Sequence, residues 1–233
     1  MVDSGIPSTE YLGRETLADL TQATNYNSHL KRLIQANYEV GDRVLDFGAG
    51  NGHFLSLIAD KKGVFTALEP DRELKNQIRN SGLAQVIEPE DVPVGMVDFL
   101  YTLNVLEHIH DDQGTLERFS LWLRQGGTLF VYVPALPHLY SKFDASIGHF
   151  RRYKKHELLE KVERAGFRVK MVRYLDPVGY FVALIYRLFI NSGKISQGQV
   201  VFFDKYLYPL SMWVSPLTSS LFGKNILLVA TKE

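Results

Sequence analysis

The 233 residues carry 26 Lys and Arg against 26 Asp and Glu, are 45% hydrophobic and include no cysteine. Balanced charge supplies no field that would draw the whole chain onto nucleic acid or anionic lipid, so a nucleic-acid role is not expected. Without cysteine there can be no disulfide, thiolate zinc site, iron–sulfur cluster or cysteine nucleophile.

A domain usually takes ~100 to 200 residues and α/β domains extend to ~250, so one elaborated domain is expected. Met1 to Glu10 is polar and lacks the charged start and apolar run of a secretory signal, which suits a cytoplasmic protein. Thr9 to Asn37 places Leu12, Leu17, Leu20, Leu30, Leu33 and Ile34 on one side of two short helices, forming an N-terminal cover over 1–40. From Gly41 the texture alternates between short apolar strands and amphipathic stretches. Strands are expected at Arg43–Phe47, Val64–Glu69, Ala84–Ile87, Val97–Leu103 and Thr128–Pro134, and helices at Phe54–Asp60, Asp71–Asn80 and Asp112–Arg124. Such alternation builds βα units on a parallel sheet. Gly126-Gly127 is expected to end the helix before the fifth strand.

Pro134 to Tyr153 is a long loop rich in His, Tyr, Arg and Asp, and loops of that length usually carry function. A helix over Lys154–Ala165 and strands at Phe167–Tyr174 and Asn225–Thr231 complete the core. The core thus spans 41–174 and closes with the last strand in 224–233. Between them, 175–223 is an aromatic insertion containing Tyr180, Phe181, Tyr186, Phe189, Phe202, Phe203, Tyr206, Tyr208, Met212 and Trp213. It must pack on the sheet, cover a cleft, join a second subunit or touch a membrane surface. Its longest apolar run, Val178–Ile190, is broken by Arg187 and is shorter than the ~18 to 20 residues of a membrane span.

The strongest local signal is Asp46-Phe47-Gly48-Ala49-Gly50-Asn51-Gly52, a strand running through three glycines into a helix. Glycines there let a ligand lie against the backbone at a helix N-terminus. His53 stands where the dinucleotide fingerprint G-x-G-x-x-G needs glycine, which argues against a nicotinamide cofactor. Glu69, 17 residues beyond Gly52, ends the next strand, where a carboxylate can accept both hydroxyls of a ribose. Glycine loop and carboxylate together specify a nucleoside.

On these residues, the chain resembles the class I S-adenosylmethionine-dependent methyltransferases over about 40–174 plus the last strand. The resemblance implies a Rossmann-like α/β fold: seven strands, mostly parallel with the last antiparallel, helices on both faces. It also implies S-adenosylmethionine as cofactor and S-adenosylhomocysteine as product. Asp46 would order the loop near the methionine amino group, and Gly48, Ala49, Gly50 and Gly52 would pass beneath the cofactor. Glu69, followed by Pro70, would hold the ribose. Leu103-Asn104-Val105-Leu106-Glu107-His108-Ile109 is similar to the family's "NVLEHI" stretch, with Asn104, Val105 and Leu106 lining the methionine end. For the adenine amino group Glu88, Glu90 and Asp91 compete, and Asp91 is favoured. Tyr26 and Asn27 stand where the N-terminal cover could close over the cofactor.

A sulfonium methyl is already activated, so the protein must mainly align the acceptor and exclude water. A hydroxyl or ammonium acceptor also needs a base. His108, His149 and Tyr140 are candidates. His108-x-His110-Asp111-Asp112 resembles a metal-ligand spacing, but its acids are better placed to cap the following helix, and no metal is expected. Asp144 and Gly148-His149-Phe150-Arg151-Arg152-Tyr153 resemble a bacterial subgroup with a D-x-x-x-G-H-x-R-R-Y loop, associated with lipid and surface-glycan pathways. Asp144, Arg151, Arg152 and Tyr153 are candidate acceptor-binding residues, because an arginine pair can clamp an anion or simply pair with acidic neighbours.

The expected acceptor is a small or lipid-linked molecule, met by a monomer or homodimer with peripheral membrane contact through the insertion. Two other readings stand beside it. A cofactor-binding subunit that supports a partner would keep the same loop without turnover. A short-chain oxidoreductase fits the length, yet none of the 12 tyrosines has a lysine four residues on.

Overall fold

The computed structural model describes Leu17 and residues 20–59, 63–190 and 192–233. Most of the segment around Leu12 expected to form the first N-terminal helix, and Asp60 at the end of the first expected core helix, lie outside these residues. The elements in chain order are α1 (Thr24–Gln35), β1 (Arg43–Phe47), α2 (His53–Ile58), β2 (Val64–Leu68), α3 (Arg72–Ser81), β3 (Gln85–Val86) and β4 (Val97–Leu103). They continue with α4 (Asp112–Trp122), β5 (Leu123–Pro134), α5 (Lys142–Ser146), α6 (Lys155–Arg164) and β6 (Phe167–Leu175). The insertion supplies α7 (Pro177–Ile185), α8 (Gln197–Phe202) and α9 (Tyr208–Thr218), and β7 (Asn225–Lys232) closes the chain.

The seven strands form one sheet in the order β3-β2-β1-β4-β5-β7-β6. β7 runs antiparallel to both β5 and β6, and the pairs among β1 to β5 are parallel. The order reverses at β1, whose neighbours are β2 and β4, so the loop leaving β1 opens at the topological switch point where α/β sheets bind ligands.

Strand periodicity sorts the core into two layers. Leu45, Phe47, Leu100, Leu129, Val131 and Leu228 point to the side covered by α4 and α6, where Phe119 and Leu158 are fully buried. Their neighbours Val44, Phe99, Tyr101, Phe130, Tyr132 and Leu227 point to the other side, against Leu30 and Ile34 of α1, Leu55 and Ile58 of α2 and Ile78 of α3. Alternating buried side chains on both faces are what helices on both faces require.

Local signals place most boundaries. Asp71 caps α3 by accepting from the Glu73 and Leu74 amides at 3.0 and 3.1 Å, and Gly82 ends it in the left-handed conformation. Asp111 caps α4 through the Gly114 amide at 2.9 Å, as the capping reading expects. One boundary differs from expectation. α4 stops at Trp122 and β5 starts at Leu123, so Gly126-Gly127 lies inside the strand and does not terminate the helix. Pairing of Leu123 with Val97 extends the sheet backward through the glycines, so tertiary pairing overrides the local stop.

The insertion is anchored at both ends and across its middle. Asp176, at φ 61°, caps α7 through the Gly179 amide at 2.8 Å and accepts from the Ser211 hydroxyl of α9 at 2.6 Å. Asp204, between α8 and α9, accepts from the backbone amides of Asn25 and Tyr26 at 2.9 and 2.8 Å. A carboxylate of the insertion therefore caps the first turn of α1, some 180 residues earlier. Replacing Asp204 with alanine should cost ~1–2 kcal/mol, the scale of a lost N-cap. At ~2–4 °C per kcal/mol for a chain of this size the melting point should fall by roughly 2–8 °C. Faster amide exchange in α1, with the sheet unchanged, would mark the loss as local; an unchanged melting curve would remove the capping role. Among the described residues no helix is long and apolar enough to cross a membrane.

Candidate active site

Backbone geometry makes the loop after β1 a ligand platform. The amides of Gly48 and Ala49 both donate to the Leu68 carbonyl, at 2.9 and 3.1 Å, which ties the loop to the end of β2. Gly48, Gly50 and Gly52 all adopt positive φ, at 79°, 57° and 76°. A Cβ on Gly48 would collide with the Val105 side chain, so the close approach of the two loops itself demands glycine. Leu17 lies over Gly50, within 3.3 Å of where its Cβ would be.

Two buried carboxyl groups flank this loop. Glu69 accepts the Gly50 amide at 2.7 Å on one oxygen and the Asp71 amide at 2.9 Å on the other. Burial pushes its pKa up to about 7. Asp46 accepts the Tyr101 hydroxyl at 2.6 Å, and burial, then repulsion from Glu69, raises it to about 7 as well. Acids held this far from water favour a ligand offering hydroxyl donors and positive charge, which is what a nucleoside sulfonium carrying an amino-acid chain offers. The residues present fit such a cofactor.

At the end of β4, Asn104 takes φ 53° and donates its amide to the Tyr132 carbonyl at 2.7 Å. Its side chain donates to the Tyr26 hydroxyl at 3.4 Å. Tyr26 also packs edge-on to Tyr132 and Tyr208, and burial raises its pKa to about 12. It thereby joins α1, the sheet and the insertion at one point, while Asn27 is buried and donates to the Leu20 carbonyl at 3.0 Å. Val105 stands against Gly48, but Leu106 is fully buried in the core. Pro70 and Asp91 are exposed. Glu88 pairs with Lys75 at 2.7 Å.

The loop after β5 folds into α5 and returns beside β5, where Tyr153 bridges Ala135. Its charged residues form two internal networks. In the first, Arg152 binds Asp144 through both oxygens at 2.8 and 3.1 Å, and His149 Nδ1 meets the same carboxylate at 2.9 Å. Asp144 is fully buried, and its pKa lies far below the usual range because His149 and Arg152 outweigh its burial. In the second, Asp112 receives the Tyr153 hydroxyl at 2.9 Å, Lys161 at 2.8 Å and Arg151 at 3.0 Å.

Both arginines of the expected acceptor-binding set are paired with carboxylates of the chain itself. Of the two readings of the arginine pair, pairing with acidic neighbours is the one realised. Asp144, Arg152 and Tyr153 are buried, and an anion at Arg151 would compete with Asp112.

The base candidates also separate. The Tyr140 hydroxyl donates to the His149 carbonyl at 2.6 Å and braces the loop. His108 and His149, expected from different loops, meet edge-to-face with ring centroids 4.6 Å apart. Burial and the His149 neighbour push His108 down to about 3. Sequence reasoning missed Glu107, whose carboxylate lies beside both rings and is raised to about 8 by burial. Its only sequence signal is a charge in the turn directly after an apolar strand. Beyond these rings, an open cleft of about 500 Å³ is lined by Tyr140, Ser141, Lys142, Ala145, Arg187 and Leu188, between the loop after β5 and the insertion.

Comparison with known proteins agrees with this geometry. A protein-family profile described as a methyltransferase domain matches residues 15–172. A protein of Mycolicibacterium smegmatis, named as an S-adenosylmethionine-dependent methyltransferase, is 28% identical over 193 residues, covering 77% of this chain and 72% of that one. The C-methyltransferase NovU of Streptomyces niveus is 27% identical over 167 residues, 65% of this chain but 40% of its own length. Among solved structures, an S-adenosylmethionine-dependent methyltransferase from Archaeoglobus fulgidus superposes with TM-score 0.61 at 17% identity, over 90% of this chain and 94% of that one, and shows the shared fold. With the profile spanning most of the chain and the glycine loop at the switch point of the sheet, the chain belongs to the class I S-adenosylmethionine-dependent methyltransferases, with S-adenosylmethionine as its cofactor.

Proposed function

We propose that this methyltransferase acts on a hydrophobic or lipid-linked acceptor that reaches the cleft across the insertion. The observation that carries this is the insertion's outer surface: Phe189, Trp213 and Leu217 are 79%, 76% and 78% exposed, on an element that also packs against α1 and the loop after β5. So much exposed apolar surface in one element marks a contact with something apolar. Tyr180 reaches the His138 ring at 3.3 Å and Arg187 binds the His138 carbonyl, so the apolar element abuts the cleft.

On this reading, Gly48, Ala49, Gly50 and Gly52 carry the cofactor, Asp46 faces its amino group, Glu69 and Pro70 its ribose, Asp91 its adenine, and Asn104 with Val105 its methionine end. When bound, the cofactor supplies a methyl on a sulfonium. The protein's own residues align the acceptor in line with it and keep water out.

The test uses S-adenosylmethionine carrying a labelled methyl, incubated with the protein and a cell extract that is then partitioned. Label should appear in the organic phase, and a Phe189→Ser, Trp213→Ser, Leu217→Ser variant should lose at least about tenfold in that transfer while still binding the cofactor. Label confined to aqueous products would overturn the acceptor class.

A further inference from the structure

Glu107 is fully buried, and neither of its carboxylate oxygens has a hydrogen-bond partner. An unsatisfied buried carboxylate costs several kcal/mol, so it persists where a ligand answers it. Beside it stand His108 and His149, and one ligand atom from each of the three lies within 4.8 Å of the other two. His149 Nε2 is 3.7 Å from Glu107 Oε1. Two donors sharing an ion at ~2.0–2.1 Å stand about 3.0–3.4 Å apart, so a shift of a few tenths of an ångström closes that edge of the site.

The outer contacts are those that ligating imidazoles need. His149 gives Nδ1 to Asp144 at 2.9 Å, which leaves Nε2 directed at Glu107. His108 is hydrogen-bonded to the Gly148 backbone, which fixes its ring. Asp144 is in turn locked by Arg152. Carboxylate and carbonyl partners of this kind orient metal-bound histidines and raise their basicity.

We propose that Glu107, His108 and His149 form a binding site for one divalent transition-metal ion, whose open coordination positions take an oxygen of the methyl acceptor. Two imidazoles and one carboxylate suit zinc, iron(II), manganese or cobalt better than magnesium or calcium, which prefer all-oxygen shells. Three protein ligands leave room for a further donor at the ion. A bound ion would lower the pKa of an acceptor hydroxyl, so that its proton leaves to water and its oxygen takes the methyl as the sulfonium carbon–sulfur bond breaks. Only that acceptor step rests on the methyltransferase reading; ion binding does not. Sequence reading considered metal only within His108-x-His110-Asp111-Asp112. The fold instead sends His110 outward, gives Asp111 to the α4 cap and brings in His149 from the next loop.

The experiment titrates the protein with cobalt(II), following visible absorption, and counts bound zinc after dialysis. One ion per chain is expected, with affinity reduced at least tenfold by Glu107→Gln and by His149→Ala and unchanged by His110→Ala. Should a variant fail to fold, wild-type protein alone decides: cobalt must shift the imidazole proton resonances of His108 and His149 and leave His138 and His156 in place. Absence of saturable one-to-one uptake, or equal uptake in all variants, would overturn the site. Calorimetry with S-adenosylhomocysteine after chelation is expected to show cofactor binding intact, which separates failure of the metal site from failure of the methyltransferase reading.

Discussion

Replacing Gly48 with valine is expected to reduce S-adenosylmethionine affinity by at least about 100-fold, or ~2.7 kcal/mol. Two effects add. At φ 79° a β-branched residue pays ~1–3 kcal/mol of backbone strain. Its side chain would also occupy the place of the Val105 methyls, and the loop after β4 would have to retreat. Gly82→Ala is the matched control, because Gly82 has φ 67° and nothing within 4 Å of a Cβ, so it pays backbone strain without crowding. Calorimetry that found both variants binding like wild type would remove the glycine loop from the cofactor site.

The same site gives Glu69 a narrower role to test. Glu69→Gln keeps the shape, but its amide nitrogen cannot accept, so either the Gly50 or the Asp71 amide loses its partner. Binding should weaken by about 10-fold or more, with the melting temperature changed far less than the affinity.

Asp144→Ala is expected to be the most destabilising single change in the loop after β5, at ~3–5 kcal/mol, because it strands the Arg152 guanidinium in the interior. Arg152 is 8% exposed, and apart from the Asp144 pair it makes a long hydrogen bond to the Ala135 carbonyl at 3.4 Å. With ~2–4 °C per kcal/mol, a fall of roughly 6–20 °C in the melting point follows. The double variant Asp144→Leu, Arg152→Met should recover much of that loss, because removing both charges leaves no buried ion unpaired. A single variant melting within about 2 °C of wild type would show that solvent reaches Arg152 and that the pair does not hold the loop. His149 should follow Asp144, since its Nδ1 partner disappears with the carboxylate.

What the sequence determined by itself was set by local physics. Alternating apolar residues such as Val44, Leu45 and Phe47 place strands, and capping acids such as Asp71 and Asp111 start helices. The glycines at 48, 50 and 52 mark a turn through left-handed backbone. Each of these depends on neighbours a few residues away, so a linear reading reaches it. The cofactor class was legible for the same reason: its platform is one strand, one turn and the next strand end.

Partner choice depended on tertiary structure. Nothing near Arg151 or Arg152 in the chain says that one carboxylate is Asp112, 39 residues earlier, and the other Asp144, already shared with His149. The cap on α1 comes from Asp204, and the pairing that draws Leu123 to Gly127 into β5 comes from β4. Glu107, His108 and His149 become one cluster only because two loops end at the same edge of the sheet. A carboxylate or an imidazole is chemically uncommitted until burial removes water and a particular neighbour answers its charge, and only the folded chain brings that neighbour within reach.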